Sequence, residues 1–268
     1  MIAVFGHGVI GKAFTDAVLA RSEEREHVAI VDPTKGFKAT DTDLRKCSLV
    51  FVCVPTPTTS DRRQDLSAVF TVMRRLLTIP YEGLVVLRST ITPSNVRMLQ
   101  RIYPLRIATL PEFLMEASAS ADAYAGRFMI VGACGQDQPD LLNFLARLWP
   151  GDATQYFYTT PAGAMLIKYW VNCCLASRVA LANEFKLYWD IVGDGHWDQV
   201  SEGFALDPRC GDTHMVVPGP DGQLGFGGKC FPKDVLAIAE EIAARVEQWD
   251  GGVLDGALEV NARVRGSG

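Results

Sequence analysis

The sequence predicts an α/β fold, with a doubly wound parallel sheet in the first part of the chain and a mainly helical domain with a long central helix after it. Three observations lead there. Up to about residue 158, short runs rich in Val, Ile and Phe alternate with amphipathic stretches. Most of those runs lack polar alternation, as strands do when helices cover both faces of a parallel sheet. Beyond Pro161, one apolar-periodic stretch continues to about Asp190 with no Gly or Pro after Gly163.

In chain order, strands are expected at Ile2–Phe5, Val28–Asp32, Leu49–Val54, Leu84–Leu87, Arg106–Thr109, Phe128–Val131 and Gln155–Tyr158. Helices are expected between them, among them Gly11–Arg21, Leu66–Leu77 and Pro139–Leu148, which gives the alternation of a doubly wound sheet. The stretch from Pro161 makes a helix of roughly 45 Å, long enough for a spine or a dimer interface. A Gly/Pro/Asp-rich loop follows from Asp207 to Gly228, then helices over Pro232–Glu247 and Val253–Val264. The expected domains are residues 1–158 and 159–268.

The whole chain narrows the function. A net charge of −5 with no basic block disfavours nucleic-acid binding but allows a phosphorylated small ligand held by backbone N–H groups. Seven cysteines with no CxxC pair predict neither a metal site nor a disulfide framework, and point to a reduced, cytoplasmic protein. A first strand beginning at Ile2 leads us to expect no signal peptide. No apolar run is read as a membrane span.

Residues Gly6-His7-Gly8-Val9-Ile10-Gly11 follow the first strand and open a helix. Gly6 permits the tight turn, Gly8 lets the backbone approach a pyrophosphate, and Gly11 lets helix and strand pack closely. The helix N-terminus then faces the negative charge. Asp32, about 20 residues on, is placed to accept hydrogen bonds from a ribose 2′-OH and would repel a 2′-phosphate. Together these features predict a Rossmann domain that binds NAD rather than NADP. Lys35 either touches the adenine ribose or is a solvated turn lysine.

The second motif is Gly225-Phe226-Gly227-Gly228-Lys229-Cys230-Phe231-Pro232-Lys233-Asp234. Its three glycines let a substrate approach the backbone. Pro232 and Asp234 suit the first turn of a helix. Cys230 would then stand at a helix N-terminus between lysines, a setting that favours a thiolate and a nucleophilic role. Taken alone, a cysteine is more often structural; the ten-residue context reverses that.

This segment resembles the catalytic-cysteine segment of the UDP-glucose/GDP-mannose dehydrogenase family. Further pieces match in the family's order: Gly6–Gly11, Val54-Pro55-Thr56-Pro57-Thr58, Ser89-Thr90-Ile91-Thr92-Pro93, Pro111-Glu112-Phe113-Leu114-Met115-Glu116, and a helix carrying Lys168, Asn172, Asn183 and Glu184. The resemblance spans nearly the whole chain and is to a short form, without the family's third, nucleotide-binding region. It implies a nucleotide-sugar 6-dehydrogenase that makes a carboxylate from a primary alcohol through a Cys230 thiohemiacetal and thioester, using two NAD. Lys168 and Asn172 would stabilise the oxyanion, and Glu116 would be the general base for thioester hydrolysis. Glu112, Thr90 and Asp234 would hold a water. Pro55, Thr56, Thr90, Glu116 and Lys233 would meet the cofactor. The Glu112–Glu116 segment, Gly227 and the Met215–Gly219 loop would meet the substrate beside Lys168 and Asn172. Arg209 would reach the neighbouring subunit's site, in a homodimer formed through helix 161–190.

The chain also departs from the family. Arg88 stands where Lys is commoner, Met115 where Arg is usual, and an insertion occupies Pro220-Asp221-Gly222-Gln223. Two other readings stay open from sequence. One is a β-hydroxyacid dehydrogenase of the 6-phosphogluconate type, which needs no cysteine. The other is a non-catalytic or partner-dependent NAD-binding paralogue.

Overall fold

The structure, a computed structural model, describes residues 1–22, 27–60, 62–247 and 252–266. The chain forms two compact units, one of residues 1–59 and 64–168, the other of residues 60–63 and 169–268.

The first unit is a seven-stranded sheet in the order β2-β1-β3-β4-β5-β6-β7. Its strands are β1 (Ile2–Phe5), β2 (Val28–Val31), β3 (Leu49–Val52), β4 (Leu84–Leu87), β5 (Arg106–Thr109), β6 (Phe128–Gly132) and β7 (Gln155–Thr159). The first five run parallel. Successive residues of one strand serve opposite cores. Val85 and Leu87 pack with α3 (Ser67–Thr78) and α4 (Pro93–Ile102). Leu84 and Val86 pack with α1 (Val9–Arg21), α5 (Ala119–Ala125) and α6 (Asp137–Leu148). Burial on both faces is why these runs carry no polar alternation.

Strands β6 and β7 are parallel to each other, while β6 joins β5 in the antiparallel sense through Thr109 and Gly132. The intervening helix α5 has seven residues, roughly 10 Å. The whole connection, residues 110–127, is long enough for a parallel crossover, so its length does not set the antiparallel sense. A short helix α2 (Asp41–Arg45) opens on a capping box in which Thr40 and Asp43 satisfy each other's backbone N–H groups.

Helix α7 spans Pro161–Val192, 32 residues, and the boundary between the units falls within it, after Lys168. The sequence expectation that no run matches a membrane span needs correcting. By length and composition alone, α7 is apolar enough to cross one, with 44% of its most apolar window buried inside the protein. The second unit packs α7 against α9 (Phe231–Ala243) and α10 (Val253–Arg265) around Tyr169, Phe226, Val235 and Ile238. It also contains α8 (Trp197–Ala205). Within it, Arg62 pairs with Glu240 at 2.9 Å.

Candidate active site

In the first unit the order β2-β1-β3 sets a switch point between β1 and β3, the place where open α/β sheets bind ligands beyond their strand ends. The glycine-rich turn lies at the end of β1. Gly6 has φ +89°, and a Cβ there would stand 2.5 Å from the Cys53 carbonyl oxygen. A Cβ on Gly11 would collide with the Gly6 carbonyl, whereas one on Gly8 would meet nothing within 4 Å. Gly6 and Gly11 therefore shape the turn, and Gly8 keeps its outer surface open. Gly8 is also the N-cap of α1, whose first turn holds no acidic residue, and Val9 is exposed beside it. The turn thus presents backbone N–H groups to an anion.

Asp32 directly follows β2. Its Oδ2 accepts from the His7 N–H at 2.8 Å and its Oδ1 from the Thr34 hydroxyl at 2.6 Å. These bonds, Thr34's first, hold its carboxyl below the usual carboxylate range despite some burial. Lys35 donates to the His7 carbonyl at 2.5 Å. The region fits a dinucleotide: an open turn for the pyrophosphate and a charged carboxylate for a ribose.

Two loops at the ends of β3 and β4 are tied at a single carbonyl. The Thr90 oxygen accepts from the Thr56 hydroxyl at 2.8 Å and from the Gln64 amide at 2.8 Å. The other end of Gln64 accepts from the Thr92 N–H at 3.1 Å. Thr56 and Thr90 are thus brought together, with Pro55 just before them. Gln64 was not singled out from sequence, because a side chain bonding to distant backbone leaves no periodic signal. Nearby, the Arg88 guanidinium is buried over the Phe14 ring at 4.4 Å. Desolvation lowers its pKa, and burial pushes the Cys53 thiol up to about 11.

The segment after β5 brings Glu112 to Lys168. Glu112 Oε1 lies 3.2 Å from the Lys168 ammonium, and its Oε2 accepts from the Leu114 N–H at 2.8 Å. Both side chains are buried, and the Phe113 ring covers the ammonium at 5.2 Å. Met115 and Glu116 are exposed, and Glu116 opens a short 3-10 turn. Residues 111–115, with Arg88, Phe128 and Trp149, line a cavity of about 290 Å³.

In the second unit, Cys230 is the exposed N-cap of α9, with Pro232 in the first turn and Asp234 behind it. Asp234 is 1% exposed. It accepts from the Asn172 amide at 2.6 Å on one oxygen and pairs with Lys233 through the other. That bond uses one of the two N–H groups of the Asn172 amide. Lys168 and Asn172 stand one turn apart along α7. Met215 is buried against Ala182, and Gly219 opens the turn that Gln223 closes. Arg209 forms an exposed ion pair with Asp207 at 2.6 Å, and among the described residues it bonds to none of the other predicted site residues. No group of three or more metal-ligating His, Cys, Asp or Glu side chains occurs among the described residues.

Two signatures of one protein family match this chain. The NAD binding domain of the UDP-glucose/GDP-mannose dehydrogenase family matches residues 33–149, and that family's central domain matches residues 162–263. A UDP-glucose 6-dehydrogenase of Rickettsia bellii is 30% identical over 202 residues, 73% of this chain and 45% of that protein. One from Bacillus subtilis is 27% identical over 227 residues, 81% of this chain and 49% of that protein. The chain spans about half the length of the curated relatives it matches. Among solved structures, a UDP-glucose dehydrogenase from Pyrobaculum islandicum superposes with TM-score 0.80 at 24% identity, over 98% of this chain and 68% of that one. A 3-hydroxyisobutyrate dehydrogenase from Mycobacterium tuberculosis shares the fold with TM-score 0.71 at 16% identity, over 98% of this chain and 92% of that one.

Proposed function

The chain belongs to the UDP-glucose/GDP-mannose dehydrogenase family, and from that premise we propose that it oxidises the primary alcohol of a nucleotide sugar to a carboxylate through a covalent bond to Cys230. Bound NAD supplies the hydride acceptor in each of two oxidations. In the first, the alcohol carbon loses hydride and its hydroxyl loses a proton, leaving an aldehyde. The Cys230 sulfur adds to that carbon, and the oxyanion formed is stabilised by Lys168 and the second Asn172 N–H. Loss of a second hydride gives a thioester. Water, deprotonated by Glu116 with Glu112, Thr90 and Asp234 positioning it, then displaces the Cys230 sulfur and releases the carboxylate.

The observation that carries this reading is the buried Asn172–Asp234 bond, because it tethers a potential oxyanion donor to the first turn of the helix that Cys230 caps. An enzyme that removes a single hydride has no use for that thiol. We further propose a homodimer through α7, whose Trp170, Phe185, Tyr188 and Ile191 are exposed, with Arg209 acting at the neighbouring subunit's site. The reaction is assigned to a reducing cytoplasmic compartment, where the cysteines stay thiols.

The test counts NADH formed per substrate consumed, with UDP-glucose, GDP-mannose, their N-acetylated relatives and bare sugar phosphates as candidates. A ratio of two that vanishes in Cys230→Ala is expected. The 3-hydroxyisobutyrate dehydrogenase likeness over nearly its full length motivates a second reading, a β-hydroxyacid dehydrogenase. One NADH per substrate, undiminished in Cys230→Ala, would select it.

A further inference from the structure

The segment leading to Cys230 has little conformational preference of its own, since glycines occupy three of the four positions 225–228. Side chains from two helices supply what it lacks. The Asn183 carbonyl on α7 accepts from the Gly225 N–H at 2.9 Å, and the Asn261 carbonyl on α10 accepts from the Phe226 N–H at 2.6 Å. Arg265, one turn further along α10, donates to the Leu224 and Gly225 carbonyls, both at 3.2 Å. Its guanidinium also pairs with Asp221, inside the insertion that sets this loop apart.

Two of the glycines are the slots into which these side chains fit. A Cβ on Gly225 would collide with the Asn261 carboxamide, and a Cβ on Gly227 would collide with the Arg265 guanidinium. Gly225 also sits at φ +73°, where other residues are strained. Asn183 is itself fixed, being 2% exposed and donating to the Val179 carbonyl at 2.8 Å. The Phe226 ring is buried among α7, α9 and α10, so the backbone between the clamps cannot slide without emptying that place.

We propose that Asn261 and Arg265, with Asn183, are positioning residues for the nucleophile: they fix residues 224–227 so that Cys230 is delivered to the start of α9 in one geometry. Through Asp221, Arg265 also couples the 220–223 insertion to the same segment, so a change in the insertion reaches the cysteine. The proposal rests on the reading of Cys230 as an activated nucleophile, but half of its test does not.

That half is amide hydrogen exchange of the 224–230 peptide in the full chain. Exchange is expected to be severalfold faster in Asn261→Leu and in Arg265→Ala, and to return to the wild-type rate in Asn261→Asp, which keeps the acceptor. Peptides of the first unit serve as the control for folding, and Arg265→Lys provides a milder variant should Arg265→Ala fail to fold. Unchanged exchange of this peptide overturns the clamp.

The second half is the iodoacetamide alkylation rate of each cysteine, read by peptide mass spectrometry, with exposed Cys134, outside α7, as the internal reference. Wild-type Cys230 is expected to react severalfold faster than Cys134, and to fall to its rate in Asn261→Leu and Arg265→Ala but not in Asn261→Asp. If exchange quickens while the Cys230 rate holds, the three side chains only stabilise the loop, and the positioning role is overturned. If wild-type Cys230 reacts no faster than Cys134, the nucleophile reading fails, and the positioning role fails with it, whatever the exchange shows.

Discussion

At the scale of one residue, the proposed choice of NAD over NADP rests on Asp32. Its two oxygens already hold the His7 N–H and the Thr34 hydroxyl, so the carboxylate is oriented before any nucleotide arrives. Replacing it with Ala removes charge-assisted hydrogen bonds worth about 1.5–3 kcal/mol. NAD binding, measured by calorimetry, is expected to weaken about ten- to a hundredfold, while NADP loses its repulsion and gains relative affinity. An NAD affinity unchanged in Asp32→Ala would rule out its role at the ribose. The pH dependence follows from the direction of its shift. A carboxyl held below its ordinary value adds stability that is complete above about pH 4 and is lost only as pH falls through the lower folded value. Affinity for NAD should therefore stay flat as pH drops from 8 to 5 as far as Asp32 is concerned. The glycine turn is equally local. Gly11→Ala drives a methyl into the Gly6 carbonyl, and a lowered melting temperature together with lost NAD binding is the expected result.

Pairs of elements carry the next scale, where charges are buried in couples. Glu112 and Lys168 join the segment after β5 to α7, and both are buried. Lys168→Met alone strands the Glu112 carboxylate, at a cost of about 3–5 kcal/mol. The double variant Glu112→Gln/Lys168→Met should recover most of that stability and no activity. Urea melts around the four-member cycle measure it, and a single-variant loss under about 1 kcal/mol would mean that the pair is not a buried ion pair. This scale also marks where sequence reading stops. The paired glycines, Asp32 and the Cys230 segment were legible because each is a local pattern with its own backbone consequence. Helix α2 was missed although Thr40 and Asp43 carry a capping-box spacing, since five residues show no periodicity. The reversed sense of β6 was not legible either: residues 128–131 alternate no differently in a parallel or an antiparallel neighbourhood. Gln64, Asn261 and Arg265 act through bonds to backbone far away in sequence, so only folding reveals them. The cysteine's own motif pointed to Cys230, but not to the α10 side chains that hold the segment before it.

For the whole molecule, the question is what covers α7. Leu181, Phe185, Tyr188 and Val192 recur at three- and four-residue spacing along the helix and are all exposed, with Trp170 at 74% and Ile191 at 82%. Single exposed apolar side chains need no explanation, but a continuous stripe of this kind marks an interaction surface. A two-fold dimer buries the same patch on both copies, and a long helix packed against its own copy lets one stripe serve as both surfaces. Sedimentation or light scattering at micromolar concentration should therefore give twice the chain mass of 29.3 kDa. Placing charges on the stripe with Phe185→Glu and Tyr188→Glu should give the single-chain mass, because an unpaired carboxylate in an apolar interface is costly. Those substitutions fall on α7, outside the glycine turn, Asp32 and the Thr56–Thr90 loops, so NAD binding should survive them. Turnover separates two roles for the dimer. If Arg209 completes the neighbouring site, monomerisation removes turnover while NAD affinity holds, and Arg209→Ala reproduces the loss in an intact dimer. If the monomeric variant turns over as fast as the wild type, each chain is catalytically self-sufficient and the stripe serves assembly alone.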